Sequence, residues 1–182
     1  MSNSVHSADA PALYVGTYCK YSEGSLFGAW LYLEDYADAD EFMEACRELH
    51  KDEAYPELMF QDYENFPRSL YSESAGVDNI AAIYEWMELD KDERKMLDAY
   101  ESIHGEGDGS VTDRARKASE AYFCTVDDAF CDWEDVAWEY VHQGCFGIDI
   151  PENLQYYFCW ATLGRELHDS MSMADNGMVF WD

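Results

Sequence analysis

The 182-residue chain carries 39 Asp and Glu against 11 Lys and Arg, a formal charge of −28, yet it is 48% hydrophobic and 16% aromatic. That apolar content suffices for a folded core and excludes an acidic disordered tail as the source of the charge. The same charge repels nucleic acid and anionic membrane, so a basic partner is expected and direct binding to nucleic acid or membrane is not.

The first eleven residues are small and polar and read as a frayed start. Leu13–Cys19 and Ser25–Leu33 then read as two strands of a hairpin, turned through Lys20–Gly24 with Gly24 free to take a positive φ. From Asp38 to Lys51, Phe42, Cys46 and Leu49 recur at helical spacing, with Asp38 as N-cap and Glu41, Glu44 and Glu48 on the exposed side. Pro56 stops that helix, and Leu58–Asp62 supplies a third strand. Past Pro67 the periodicity turns helical, with one apolar stripe at Ile80, Ile83, Tyr84 and Met87 and a second at Met96, Leu97, Tyr100 and Ile103, separated by a turn and N-cap at Asp90–Asp92. Glu85 and Glu88 on the first of these helices, and Asp98 and Glu101 on the second, extend the acidic surface.

Gly105–Ser110 follows as a flexible connection and the best candidate boundary. Beyond a short basic cluster at Arg114, Arg116 and Lys117, Tyr122–Val126 reads as a strand entering a helix over Asp127–His142. Phe130, Trp133, Ala137, Tyr140 and Val141 give that helix a core stripe, while Asp128, Asp132, Asp135 and Glu139 give it a carboxylate stripe. No Lys or Arg occurs between Lys117 and Arg165, so these acids have no sequence-local counter-charge and face water, distant cations or a basic partner. Like charges one turn apart cost roughly 0.2–0.5 kcal/mol per pair, which makes an unrelieved stripe a feature with a purpose. Gly144 and Gly147 end the helix, Pro151 opens another with Leu154, Tyr157, Phe158, Ala161 and Leu167 as its buried side, and Met178–Trp181 reads as a last strand. The fold class expected is α+β in three small parts: a sheet with one helix (12–66), a helical middle (67–106) and a mixed C-terminal region (107–182).

Chemistry is sought and not found. The glycine-rich Gly105–Gly109 segment contains Glu106 and Asp108 and lacks the Lys-Ser/Thr of a phosphate loop. Asp90, Asp92 and Glu101 stand at places one, three and twelve of a calcium loop, but Arg94 and Lys95 stand where a ligand and a glycine are needed. The five histidines approach neither one another nor a cysteine at ligand spacing, and no serine-hydrolase or zinc-protease motif occurs. With so many acids, carboxylate pairs arise by chance and identify no catalytic dyad. No enzyme, cofactor or metal is therefore expected. The absence of a leader and of a spanning apolar run makes a cytoplasmic protein with reduced thiols the expectation, most of its six cysteines being core residues.

Four stretches carry a resemblance. Tyr14–Trp30, Asp62–Pro67, Asp132–Tyr140 and Pro151–Phe158 resemble, in order, the landmarks of the ArdA antirestriction proteins, and the likeness runs from about Leu13 to Phe180. It implies an elongated DNA mimic carried by mobile genetic elements, a homodimer joined through its C-terminal part, that occupies the DNA groove of type I restriction-modification enzymes and inhibits them. Asn65 departs from the pattern by standing where the family usually has Gly. Cys159-Trp160 stands where an acid and an aromatic are expected, and the first dozen residues lie outside the pattern. The acids expected to form the mimic surface are Asp38, Glu41, Glu44, Glu48, Glu85, Glu88, Asp98, Glu101, Asp128, Asp132, Asp135 and Glu139. A charge of −28 matches the phosphates of roughly 14 base pairs of duplex. The alternative reading is an acidic chaperone or inhibitor of another basic DNA-binding protein.

Overall fold

The structure is a computed structural model that describes residues 7–127, 133–147 and 149–182. It is α+β, with eight α-helices and two three-stranded antiparallel sheets among those residues. The chain divides into two compact units, residues 1–88 and 89–182.

In the first unit β1 (Ala12–Thr17) is the central strand between β2 (Ala29–Tyr32) and β3 (Leu58–Glu64). Leu13 faces Leu31 on one side and Tyr63 on the other, and the pairing with β3 shifts register between Tyr14 and Val15. The expected hairpin is present, but its connection is longer than a turn. A short helix α1 (Tyr18–Ser22), capped by the Thr17 hydroxyl, follows β1, Gly24 takes φ +82°, and β2 starts only at Ala29. Helix α2 (Ala39–Leu49) carries the expected cap, the Asp38 carboxylate accepting from the Glu41 N–H at 2.9 Å. Its Phe42, Met43 and Cys46 join Leu13, Val15, Phe60, Ile80 and Ile83 in one core, the last two from α3 (Val77–Glu88). The Tyr84 hydroxyl of α3 donates to the Leu33 carbonyl at 2.9 Å, fastening the helix to the end of β2.

The second unit begins with α4 (Lys91–His104), whose N-terminus is closed by a reciprocal capping box between Asp90 and Glu93. The basic cluster of Arg114, Arg116 and Lys117, for which no element was foreseen, lies on a helix, α5 (Val111–Ala121). Its buried face is Val111, Arg114, Ala115 and Ala118, small residues and one arginine at helical spacing, capped by Ser110. Strand β6 (Met178–Trp181) lies between β4 (Tyr122–Thr125) and β5 (Met171–Met173), the last not foreseen. Successive side chains of a strand point to opposite faces. Val179 accordingly packs among residues of α6 (Trp133–His142) and α8 (Trp160–Leu167), while Phe180 packs against Ala99, Met96 and Tyr100 of α4. Both are fully buried because helices cover both faces.

Helix α6 ends in a Schellman motif. Gly144, at φ +80°, lets its N–H reach the Val141 carbonyl and the Cys145 N–H reach that of Tyr140. The single helix expected after Pro151 is broken into α7 (Glu152–Gln155) and α8, and Leu154, Tyr157 and Ala161 are exposed rather than buried. The ring of Phe158 meets that of Trp160, centroids 4.6 Å apart, a contact between residues i and i+2 that one continuous helix cannot make. Of the described cysteines only Cys46 and Cys124 are in the core, where burial pushes both thiols up to about 12; Cys19, Cys145 and Cys159 are exposed.

Candidate functional site

The acidic surface is built helix by helix. On α2, burial of Phe42, Met43 and Cys46 turns Glu41, Glu44 and Glu48 to solvent beside the exposed cap Asp38. The Glu41 carboxylate also accepts from the Ala37 N–H at 2.7 Å, which fixes its direction at the head of the helix. These three glutamates, with Tyr36, Ala45 and Arg47, line an open groove of about 670 Å³. On α3, Glu88 is exposed and Glu85 half-buried. On α4, Asp98 keeps an exposed edge while Glu101 is half-buried, and partial desolvation raises both carboxyls above their usual range. On α6, Asp135 is exposed and Glu139 half-buried, its carboxylate accepting from the Gln143 amide at 3.3 Å. The core side of that helix is Val136, Ala137 and Val141, with Trp138 exposed. Asp128, Asp132 and Phe130 lie outside the described residues.

Helix spacing overlooked acids on a strand. β3 alternates exposed Asp62 and Glu64 with half-buried Gln61 and Tyr63, a period-two signal that a search for helical stripes passes over.

Several basic residues are engaged within the chain. Arg114, 8% exposed, donates from Nη1 to Glu101 at 2.7 Å and Glu106 at 3.0 Å, so the turn after α4 is tied down and the Glu101 charge is already matched. Arg116 reaches Asp113 and Glu120, and Lys51 reaches Glu48. Lys20 fills its donors with His50 Nδ1 at 3.0 Å, Asp52 at 2.9 Å and Glu53 at 3.2 Å, with the Phe27 ring over it. An ammonium only donates, so His50 Nδ1 is the acceptor and Nε2 carries the proton that goes to the Val15 carbonyl, 3.2 Å away. None of these contacts converges on a reacting position. Among the described residues no group of three or more His, Cys, Asp or Glu side chains is placed to hold a metal ion, and no helix is long and apolar enough to cross a membrane.

What remains is a surface of ordered carboxylates, some of whose neighbouring cations are matched internally, in a chain that the family model of the antirestriction protein ArdA matches over residues 13–180. The chain belongs to the ArdA antirestriction family. Membership makes it an antirestriction protein whose partners are restriction-modification enzymes. No match is found among the curated proteins. The departure at Asn65 has a physical resolution. Asn65 adopts φ +64°, the left-handed conformation in which glycine is free and asparagine is the next most tolerated residue. Its amide donates to the carbonyls of Ala8 and Ala10 at 3.2 and 2.9 Å, anchoring the N-terminal segment that lies outside the family pattern.

Proposed function

We propose that this ArdA protein inhibits type I restriction-modification enzymes by acting as a B-DNA mimic in their basic DNA-binding groove. The observation that carries the reading is the row of exposed carboxylates Asp38, Glu41, Glu44 and Glu48 held on one ordered, capped helix. Steps of three and four residues along a helix advance about 4.5 and 6 Å along its axis, against about 3.4 Å of axial rise per phosphate of one DNA strand. The row is sparser than a phosphate row, but it lies on a fixed surface and engages a Lys- and Arg-lined groove without base recognition. Glu88, Asp98 and Asp135 are further exposed carboxylates, whereas Glu101, matched by Arg114, contributes less. In this reading Asp128 and Asp132, which lie outside the described residues, also add their charge to the mimic.

The protein acts as a homodimer joined through its C-terminal region and does not itself bind DNA. Support for a covered face in that region comes from exposed Trp138, Phe146 and Leu154, with Tyr156 and Tyr157 exposed by 89% and 81%. An isolated soluble chain rarely leaves such an apolar group in water. Competition between the protein and duplex DNA for a purified type I enzyme tests the mechanism. Relief of inhibition by added cognate duplex supports mimicry; inhibition indifferent to DNA, or retardation of DNA by this chain alone, refutes it.

A further inference from the structure

Two exposed thiols in the second unit are placed by the packing of α6 on α8. Gly164 of α8 lies against the Trp133 carbonyl at the start of α6, while His142 at the end of α6 has its ring 6.5 Å from that of Trp160 at the start of α8. The helices therefore run antiparallel, and the end of one meets the beginning of the other. Cys145 follows α6 by three residues in the Schellman turn, and Cys159 is the residue immediately before α8. Both stand at this same end and both are exposed. Their neighbours already touch, the rings of Phe146 and Phe158 being 5.7 Å apart.

We propose that Cys145 and Cys159 form a reversible intramolecular disulfide that clasps the open end of the α6–α8 pair, with a low-molecular-weight disulfide such as oxidised glutathione as oxidant. The attacking thiol is Cys159. Its sulfur lies 3.0 Å from the Thr162 hydroxyl, and hydrogen bonds from that hydroxyl and from the Thr162 backbone lower its pKa, favouring the nucleophilic thiolate. The Cys159 thiolate attacks one sulfur of the reagent, whose S–S bond breaks and releases one thiolate that takes up a proton. Cys145 then loses its proton and attacks the Cys159 sulfur, expelling the second small thiol. Two cysteine thiols are oxidised and one disulfide is reduced to two thiols, so the exchange balances without another reactant. The loop closed, residues 145–159, contains Leu154, Tyr156 and Tyr157, so the clasp restricts a large exposed apolar segment. Buried Cys46 and Cys124, with thiols pushed up to about 12, stay out of the exchange.

The test uses the full chain with no restriction enzyme present, so it stands independently of the inhibitory mechanism. The protein is incubated with oxidised glutathione, quenched by alkylation and mapped by non-reducing peptide mass spectrometry. A Cys145–Cys159 peptide pair within single chains, with a higher melting temperature that a reductant reverses, is the expected result. Cys145→Ser should then hold one stable glutathione adduct at Cys159, and Cys159→Ser should slow modification of Cys145 several-fold. Separate adducts persisting on both cysteines in the unsubstituted chain, chain-to-chain crosslinks, pairing with another cysteine, or no reaction would each overturn the proposal.

Discussion

His50 shows how one side chain can fix the roles of several. It is fully buried, its Nε2–H donates to the Val15 carbonyl in the central strand, and its Nδ1 accepts a hydrogen bond from the Lys20 ammonium. His50→Phe keeps a ring of similar shape but leaves that carbonyl and the ammonium each short of a partner, so a loss of about 1–3 kcal/mol is expected in urea unfolding. The carboxyls divide into two kinds with opposite consequences for pH. Hydrogen bonding from Lys20 holds Asp52 below the usual carboxylate range, and the Thr17 hydroxyl foremost, then Lys20, does the same for Glu53. A depressed group contributes stability that is present above its unfolded value and lost as pH falls through the folded one. Desolvation raises Asp98 and Glu101, so the native state binds protons more readily there than the unfolded chain, and stability rises as pH falls through their range. Melting temperature should therefore climb from neutral to mildly acidic pH before falling at lower pH, and Asp98→Asn should shrink the climb. A steady fall from neutral pH downward would contradict this assignment.

At the level of elements, the sequence was most legible where a cap and an apolar stripe coincided, as in α2 with Asp38 and α4 with Asp90. α5 escaped because its buried face is one valine, two alanines and an arginine, too few large apolar side chains to show a helical stripe. β5 has three residues, too few for alternation to register. The break between α7 and α8 was hidden because Leu154, Tyr157, Phe158 and Ala161 have helical spacing, and nothing local shows that Phe158 turns toward Phe146 and Trp160. For the site, exposure of the α2 acids followed from periodicity, whereas the pairing of Glu101 with Arg114 depends on the packing of α4 on α5. Arg114→Leu leaves Glu101 and Glu106 unmatched and should lower stability by about 2–3 kcal/mol, less than the 3–5 of a fully buried pair because Glu106 reaches water. Gly164→Ala would drive a methyl into the Trp133 carbonyl and should destabilise the α6–α8 pair by roughly 1–3 kcal/mol, measured by thermal melting.

For the molecule as a whole, the proposed mechanism makes the charge of −28 govern both partner choice and the conditions under which the partner is held. The screening length shortens from about 10 Å at 0.1 M salt to about 3 Å at 1 M, so inhibition should weaken steadily as salt rises. The proposed C-terminal dimer is a separate matter. Tyr156→Ser with Tyr157→Ser should shift the protein toward monomer in sedimentation without unfolding it, since both rings are largely in water within one chain. Changing Asp128, Asp132, Asp135 and Glu139 to Asn, Asn, Asn and Gln preserves size and removes like-charge neighbours, so stability should hold or rise slightly while inhibition falls a few-fold. The most direct measurement of DNA mimicry is the inhibition of a purified type I enzyme titrated with its own duplex at fixed inhibitor and low salt. Mimicry predicts that added duplex displaces the protein competitively and restores activity in full; inhibition unchanged at saturating duplex would contradict it.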